Sequence, residues 1–144
     1  MISSNNILSL IPQRMPFVFV DKLLQLEDET AKVHYTIAET CPLVDNGMLS
    51  IAGMLEHIAQ SCATFIGGLQ SRRHLPIRIG YIGAVKHLQV HSQPRVGDQL
   101  VTQVVLTQEV MNISQMDCKT FVGEQEIACA TIKLALDEPA KDMA

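Results

Sequence analysis

Apolar and polar positions recur with two different periods along this chain, and the changes of period outline a fold. Residues 16–27, PFVFVDKLLQLE, set Phe17, Phe19 and Asp21 against Val18, Val20 and Lys22, which predicts a strand. EDET at 27–30 is a predicted hairpin turn. Residues 31–39 form a second strand, with Val33, Tyr35 and Ile37 opposite Lys32, His34 and Thr36. CPLVDNGMLS reads as a loop, since Pro42 and Asp45-Asn46-Gly47 break regular structure, and Asn46 or Ser50 is placed to cap a helix beginning near residue 51. The period then rises to about 3.6 residues. Ile51, Met54, Leu55, Ile58, Cys62, Phe65, Ile66 and Leu69 fall on one helical stripe, while Ala52, Gly53, Ala59, Ala63 and Gly67 make the other face small. Such a helix is expected to be buried nearly all round. It is expected to end at Gly67-Gly68, before Gln70 to His74 reach solvent. From Pro76 the period returns to two, with strands at 77–91, 99–110, 115–122 and 125–136 and a last hairpin around Gly123-Glu124. Residues 137–144 are a tail expected to fray. The sum is an α+β chain, one domain over 1–144 with its core at about 10–136, in which a curved antiparallel sheet wraps one long helix.

Composition narrows the partners more than the fold. The 144 residues suffice for one core. Charged residues make up 18%, low for a globular chain, which implies that a partner covers part of the surface and that the protein is an oligomer. A net charge of -4, four Phe, two Tyr and no Trp give no footprint for nucleic acid and no base-stacking platform. MISSNNILSLIPQR lacks the basic start and long apolar run of a signal peptide, and no segment has the roughly 18–20 unbroken apolar residues of a membrane span. Cys41, Cys62, Cys118 and Cys129 show neither CxxC nor Cys/His cluster spacing, so free thiols in a reducing cytoplasm are expected.

One residue does not fit the buried helix. Glu56 is the only charged residue in GMLSIAGMLEHIAQSCATFIGG. Burying a lone carboxylate costs several kcal/mol unless it is paired or takes up a proton. Its i+4 neighbour Gln60 stands beside it and can hydrogen-bond it, and the small residues around the pair leave room for a slender ligand. An acid or base in an apolar groove is the functional reading, and an ion pair with a strand arginine or simple exposure is the plain one. His57 points about 100° away around the helix, so the two do not form a dyad, and His57 is expected to pack or sit at a rim.

Four segments of the chain resemble a known family. LIPQRMPFVFVDKLLQLE is similar to the opening of the 3-hydroxyacyl-acyl-carrier-protein dehydratases, LEHIAQ to their central-helix signature Glu-Ala-Met-Ala-Gln, YIGAVKHLQVHSQPRVGDQL to their long third strand and the turn after it, and CKTFVGEQEIACATIKLAL to their final hairpin. The four resemblances are collinear over about residues 10–136 and imply a hot-dog fold. They also imply acyl chains carried on phosphopantetheine, of an acyl carrier protein or of coenzyme A, with no cofactor held by the protein itself. The assembly implied is a dimer, or an oligomer of dimers, with active sites at the dimer interface. There a loop histidine takes the α-proton of a 3-hydroxyacyl group, and a helix carboxylate of the other subunit, at the position of Glu56, assists loss of the hydroxyl as water. The resemblance makes Glu56 catalytic, Gln60 its holder, and the small-residue helix face, with Ala52 and Gly53, a wall of the acyl tunnel; Asn46 and Gly47 of the loop are further substrate-binding candidates, as is Met54, for which core filling is the default.

The family's His-Phe-Pro-Gly loop is absent: its histidine falls on Pro42, and CPLVDNGMLS contains none. The loop is more similar to that of the dehydratase-like subunits of aryl polyene gene clusters, which carry an Asp-x-Asp-Gly-type sequence there. Asp45 or a histidine from a second hot-dog subunit is then the candidate base, and a heterodimer becomes an alternative to the homodimer. Two rival readings remain open, a hot-dog thioesterase using the helix carboxylate to activate water and a non-catalytic acyl-binding partner. Arg72, Arg73, Lys86 and Arg95 are candidates for a basic rim toward an acidic carrier protein or the pantetheine phosphate. His87 and His91 fall on one strand face but lack an evident third ligand, so no metal is expected.

Overall fold

The computed structural model describes residues 4–137. A one-turn helix α1 (Ser4–Ile7), which the hydrophobic pattern does not announce, precedes β1 (Lys22–Leu26) and β2 (Thr30–Thr36). A small hairpin of β3 (Val44–Asp45) and β4 (Met48–Leu49) leads into the long helix α2 (Ile51–Arg72). Then come β5 (Gly80–Val90), β6 (Gln99–Val110), β7 (Ile113–Val122) and β8 (Gln125–Leu136). Six strands form one antiparallel sheet in the order β1-β2-β6-β7-β8-β5, and α2 packs against all of them. This is the expected hot-dog architecture.

Alternation places the core as the pattern required. Val33 and Tyr35 of β2, Leu100 and Val104 of β6, Met116 and Cys118 of β7, and Ala130, Ile132 and Leu134 of β8 turn inward onto Met54, Ile58, Cys62, Phe65 and Leu69 of α2. Cys62 and Cys118 meet there with their sulfurs 3.4 Å apart, and all four cysteines are thiols. Ser50 caps α2, its Oγ accepting the Gly53 N–H at 3.1 Å. Asn46 takes the other role open to it. With φ of 53° and 76°, Asn46 and Gly47 form the two-residue turn of the β3–β4 hairpin, where both positions need a left-handed backbone.

Three expectations are corrected. The first strand begins at Lys22 rather than Pro16, because residues 17–19 spend their backbone groups on helix side chains instead of a neighbouring strand. The helix runs past Gly67-Gly68 to Arg72, ending with His74 in the left-handed region (φ 56°), and Gln70 is buried. These glycines permit close approach rather than termination: Gly67 lies under the Leu10 carbonyl and Gly68 under Leu23 and Leu26. Finally, the helix is not buried all round within one chain, since Ile51 is 51% exposed, Ala52 is exposed, and Leu55, Ala59 and Ala63 are half-buried. The predicted tail falls, from residue 138, outside the described residues.

Gly67 allows a direct test. A methyl at its Cβ position would lie 2.4 Å from the Leu10 carbonyl oxygen, a backbone atom that no rotamer change can remove. Alanine gains about 1 kcal/mol of helix propensity over glycine. Overpacking against backbone costs roughly 1–3 kcal/mol or more. Gly67→Ala is therefore expected to lower the urea midpoint; an unchanged or higher midpoint would contradict the close packing of α2 on residues 7–11.

The far edge of the sheet is open. Among the described residues β5 has only β8 as a neighbour, and Tyr81 (55% exposed) and Ile82 (41%) lie uncovered along it. Leu75, Ile77 and Ile79, just before the strand, are exposed as well.

Candidate active site

Ala52, Glu56, Ala59 and Ala63 succeed one another at steps of four, three and four residues, so they share one side of α2. This is the side the chain leaves uncovered, and half-buried Glu56 is its one charged group. Gln60, fully buried, holds that carboxylate. Its Oε1 accepts the Phe19 N–H at 2.7 Å, and its Nε2 donates to the Phe17 carbonyl at 2.9 Å and to Glu56 Oε1 at 3.0 Å. A backbone N–H can only donate, so the amide oxygen must face Phe19 and the nitrogen must face the two acceptors. One oxygen of Glu56 is thus fixed by a side chain that cannot turn, while Oε2 has no hydrogen-bond partner among the described residues.

His57 is a core residue, as its angle around the helix implied. It is wholly buried and stacks on Tyr35, ring centroids 5.9 Å apart. Nδ1 lies 2.7 Å from the Phe19 carbonyl and must donate to it. Nε2 lies 2.8 Å from Thr102 Oγ1, which in turn lies 2.7 Å from Thr120 Oγ1. Burial pushes the imidazole down to about 4, only partly offset by the Phe19 carbonyl, so at neutral pH it is uncharged. Nε2 therefore accepts from Thr102, and Thr102 from Thr120. His57 and Gln60 together anchor residues 17–19 across the helix. Thr102 and Thr120 were missed by pattern alone, although both are polar residues on the inward, apolar side of an alternating strand. His34, which the alternation sets opposite Val33 and Tyr35, is nonetheless buried, with Nδ1 2.5 Å from Asp21 Oδ1 and Nε2 3.2 Å from Gln99 Oε1.

The other candidates separate. Asp45, Asn46 and Gly47 are exposed on the β3–β4 hairpin. That hairpin is tied to the β5–β6 connection by the Leu49 N–H to the Pro94 carbonyl (2.9 Å) and the Val96 N–H to the Gly47 carbonyl (3.0 Å). Ala52 lies on the open arc beside Glu56. Two wall residues are corrected: Met54 is 1% exposed and faces the core, and Gly53 is packed so tightly on Leu43 and Leu49 that a Cβ there would sit 2.4 Å from Leu49. Neither is exposed on the Glu56 side of the helix within this chain. The four basic residues do not make one rim either. Arg72 pairs with Asp28 at 2.9 Å, and sixteen helical residues put it about 24 Å along the axis from Glu56, with Arg73 next to it. Lys86 is exposed on β5. Arg95 alone adjoins the loop before the helix, bridged through its backbone to Met48. His87 lies at an irregularity of β5 with φ of 55°, and His91 pairs instead with Glu126 at 3.5 Å. An apolar cleft of about 350 Å³ opens between residues 7–20 and β2, lined by Met15, Val20, Tyr35 and Cys41 among others, but Glu56 does not border it.

No helix among the described residues is long and apolar enough to cross a membrane. The sequence model of the ApeP-like family, described as ApeP dehydratase, matches residues 5–144. Relatives include the 3-hydroxyacyl-acyl-carrier-protein dehydratase FabZ of Clostridioides difficile, 26% identical over 149 residues that cover 96% of this chain and 99% of the relative. The FabZ of Bacillus cytotoxicus is 28% identical over 144 residues, covering 96% and 98%. Among solved structures, the dehydratase heterocomplex ApeI:P from Xenorhabdus doucetiae superposes with a TM-score of 0.85 at 13% identity, covering 92% of this chain and 91% of that one. A hypothetical thioesterase protein with coenzyme A from Streptococcus pneumoniae superposes with a TM-score of 0.65 at 11% identity, covering 80% and 86%. At these identities the structural likenesses establish the hot-dog fold. The match over nearly the whole sequence goes further: the chain belongs to the ApeP-like dehydratase family.

Proposed function

We infer that the chain acts in the dehydration of 3-hydroxyacyl groups carried on phosphopantetheine, with Glu56 as the acid and the α-proton base supplied from outside the helix. The observation that carries this reading is the fixed carboxylate on an uncovered helix face: Gln60 orients one oxygen and leaves the other free. In the step proposed, a base removes a proton from C2 while Glu56, protonated, gives its proton to the departing hydroxyl at C3. Water leaves, a C2–C3 double bond forms, and Glu56 is left as a carboxylate to be reprotonated from the base.

The chain's own histidines do not suit the role of base. His57 is buried behind the helix, His34 is engaged by Asp21, His91 pairs with Glu126, His74 follows the C-terminal end of α2, and His87 lies on β5. A second hot-dog subunit bringing a loop histidine to Glu56 fits the uncovered arc of α2 and the unpaired β5 edge, and the likeness to a dehydratase heterocomplex favours that assembly over a homodimer with Asp45 as base. An acyl carrier protein is the expected carrier, as the names of the FabZ relatives suggest for their own reaction, and Arg95, whose backbone bridges to Met48 of the hairpin, is the basic residue proposed to meet its phosphate.

The test is mass spectrometry of a 3-hydroxyacyl carrier protein incubated with the chain alone and with a co-expressed hot-dog subunit bearing a loop histidine. Loss of one water only in the mixture supports the heterodimer, and loss with the chain alone supports Asp45 as base. A released free acid would replace the reading by a thioesterase. No change of mass in either mixture would leave an acyl-binding role without catalysis.

A further inference from the structure

On the outer face of the sheet, where β5 runs into the following turn, His91, Glu126 and Cys129 bring an imidazole nitrogen, a carboxylate oxygen and a thiol sulfur within 4.8 Å of one another. Two irregularities of the sheet create this group. Residues three apart on a regular strand face opposite sides, so Glu126 and Cys129 would ordinarily be separated by β8 itself. The β7–β8 register shifts here: Thr120 pairs with Ala128 but Phe121 pairs with Glu126, which makes Ile127 an extra residue. Ile127 and Ala128 both turn into the core, and Glu126 and Cys129 both remain outside. Across β8 the β5 register also shifts, between Lys86 and Gln89, and the strand then ends with the His91 and Ser92 N–H groups both directed at the Ile127 carbonyl, at 2.7 and 3.4 Å. The bulge therefore fixes the backbone of His91 beside the two side chains it has exposed.

The donors are aimed. His91 Nε2 lies 3.5 Å from Glu126 Oε2, while Glu126 Oε1 is 3.9 Å from Lys119 Nζ, so the lysine engages the carboxylate from behind and leaves Oε2 to the imidazole. Cys129 Sγ also faces the neutral Gln89 Oε1 at 3.9 Å. Ligand bonds of about 2.0–2.3 Å in a tetrahedral zinc site put the donors roughly 3–4 Å apart, close to the spacing found. A simple surface ion pair accounts for His91 and Glu126 but gives no reason for a thiol on the same polar face. Nitrogen, oxygen and sulfur donors together suit zinc and not magnesium or calcium, which take oxygen alone.

We propose that His91, Glu126 and Cys129 form a zinc(II) site, with water or Gln89 Oε1 in the fourth position. Binding converts the Cys129 thiol to a zinc-bound thiolate and releases its proton to solvent. The ion clips the end of the edge strand β5 to β8. This site is separate from Glu56 and does not depend on the dehydratase reading.

The full chain, stripped of metal and kept reduced, is titrated with cobalt(II) as a spectroscopic probe and then with zinc(II). One cobalt per chain is expected, with a sulfur-to-cobalt charge-transfer band in the near ultraviolet that zinc abolishes. Cys129→Ser is expected to remove the band, and His91→Ala to weaken binding at least tenfold. Both side chains are partly exposed, so circular dichroism is expected to show the variants folded, and zinc is expected to raise the Tm of wild type but not of His91→Ala. Absence of the band at millimolar cobalt, or a band that survives Cys129→Ser and so belongs to another cysteine, overturns the site.

Discussion

Replacing Glu56 by glutamine is expected to slow water loss from a 3-hydroxyacyl carrier protein by roughly 10²–10⁴-fold, the range that a positioned general acid contributes. The substitution keeps the shape of the side chain and its oxygen toward Gln60, whose Nε2 donates to it at 3.0 Å in the wild type. Position is thus retained and only the acidic proton is lost. Because Glu56 is half-buried on an uncovered face, its neutral replacement is expected to change stability by no more than about 0.5 kcal/mol. The rate is read from the mass of the acyl carrier protein over time, in whichever assembly is active, with size-exclusion chromatography confirming that the assembly is unchanged. A variant as fast as wild type would take Glu56 out of the chemistry.

The second large effect is on stability and comes from His57. Above pH 6.5 the imidazole is neutral in the folded and unfolded chain alike, so it adds no pH dependence there. Below 6.5 the unfolded chain takes up a proton that the folded chain refuses until about pH 4, and stability falls through that window. A shift from 6.5 to about 4 corresponds to about 3 kcal/mol, levelling off at lower pH when both states are protonated. Carboxylates titrate over part of the same range, so the quantity to measure is a difference. Urea unfolding at pH 7 and pH 4.5 is expected to show wild type losing about 2–3 kcal/mol more than His57→Gln, which has no titrating imidazole. The variant starts lower at pH 7, since the Phe19 carbonyl and Thr102 lose their partner. Should it not fold, nitrogen-15 NMR of the wild type reports the same property, with His57 expected as the neutral Nδ1–H tautomer at pH 5. Parallel losses in the two proteins, or an imidazolium at pH 5, would rule out the buried neutral histidine.

How much of this was legible in the sequence depends on whether a pattern names a partner. The extents of β6 and β8 were readable to the residue, because alternation extends a strand, but the bulge at Ile127, which turns two successive residues inward, was not. The same alternation misled over residues 16–21. It marks a backbone that is extended and half-buried, but not whether its hydrogen bonds go to a strand or, as happens here, to Gln60 and His57. The Glu56–Gln60 pair was visible because i and i+4 are neighbours on any helix. The partners of His57 were not, lying 38 and 45 residues away in sequence. Gly67-Gly68 carried the signature of a helix end but serves contact with Leu10, a distinction that resides in tertiary structure. The small-residue face of α2 was recognised as a wall, yet a single chain's sequence does not say whose surface completes it.

The open edge of β5 bears on how such a protein is made. Eleven residues of strand with one side unpaired, and Tyr81 and Ile82 uncovered beside it, offer a template for any extended chain that arrives first. On the heterodimer proposed above, copies made while the second subunit is scarce would compete with one another for that edge, and those that lose would go to chaperones, proteases or aggregates. Supply of the second subunit would then set the yield of the chain, and the two polypeptides would be best synthesised together and in matched amounts.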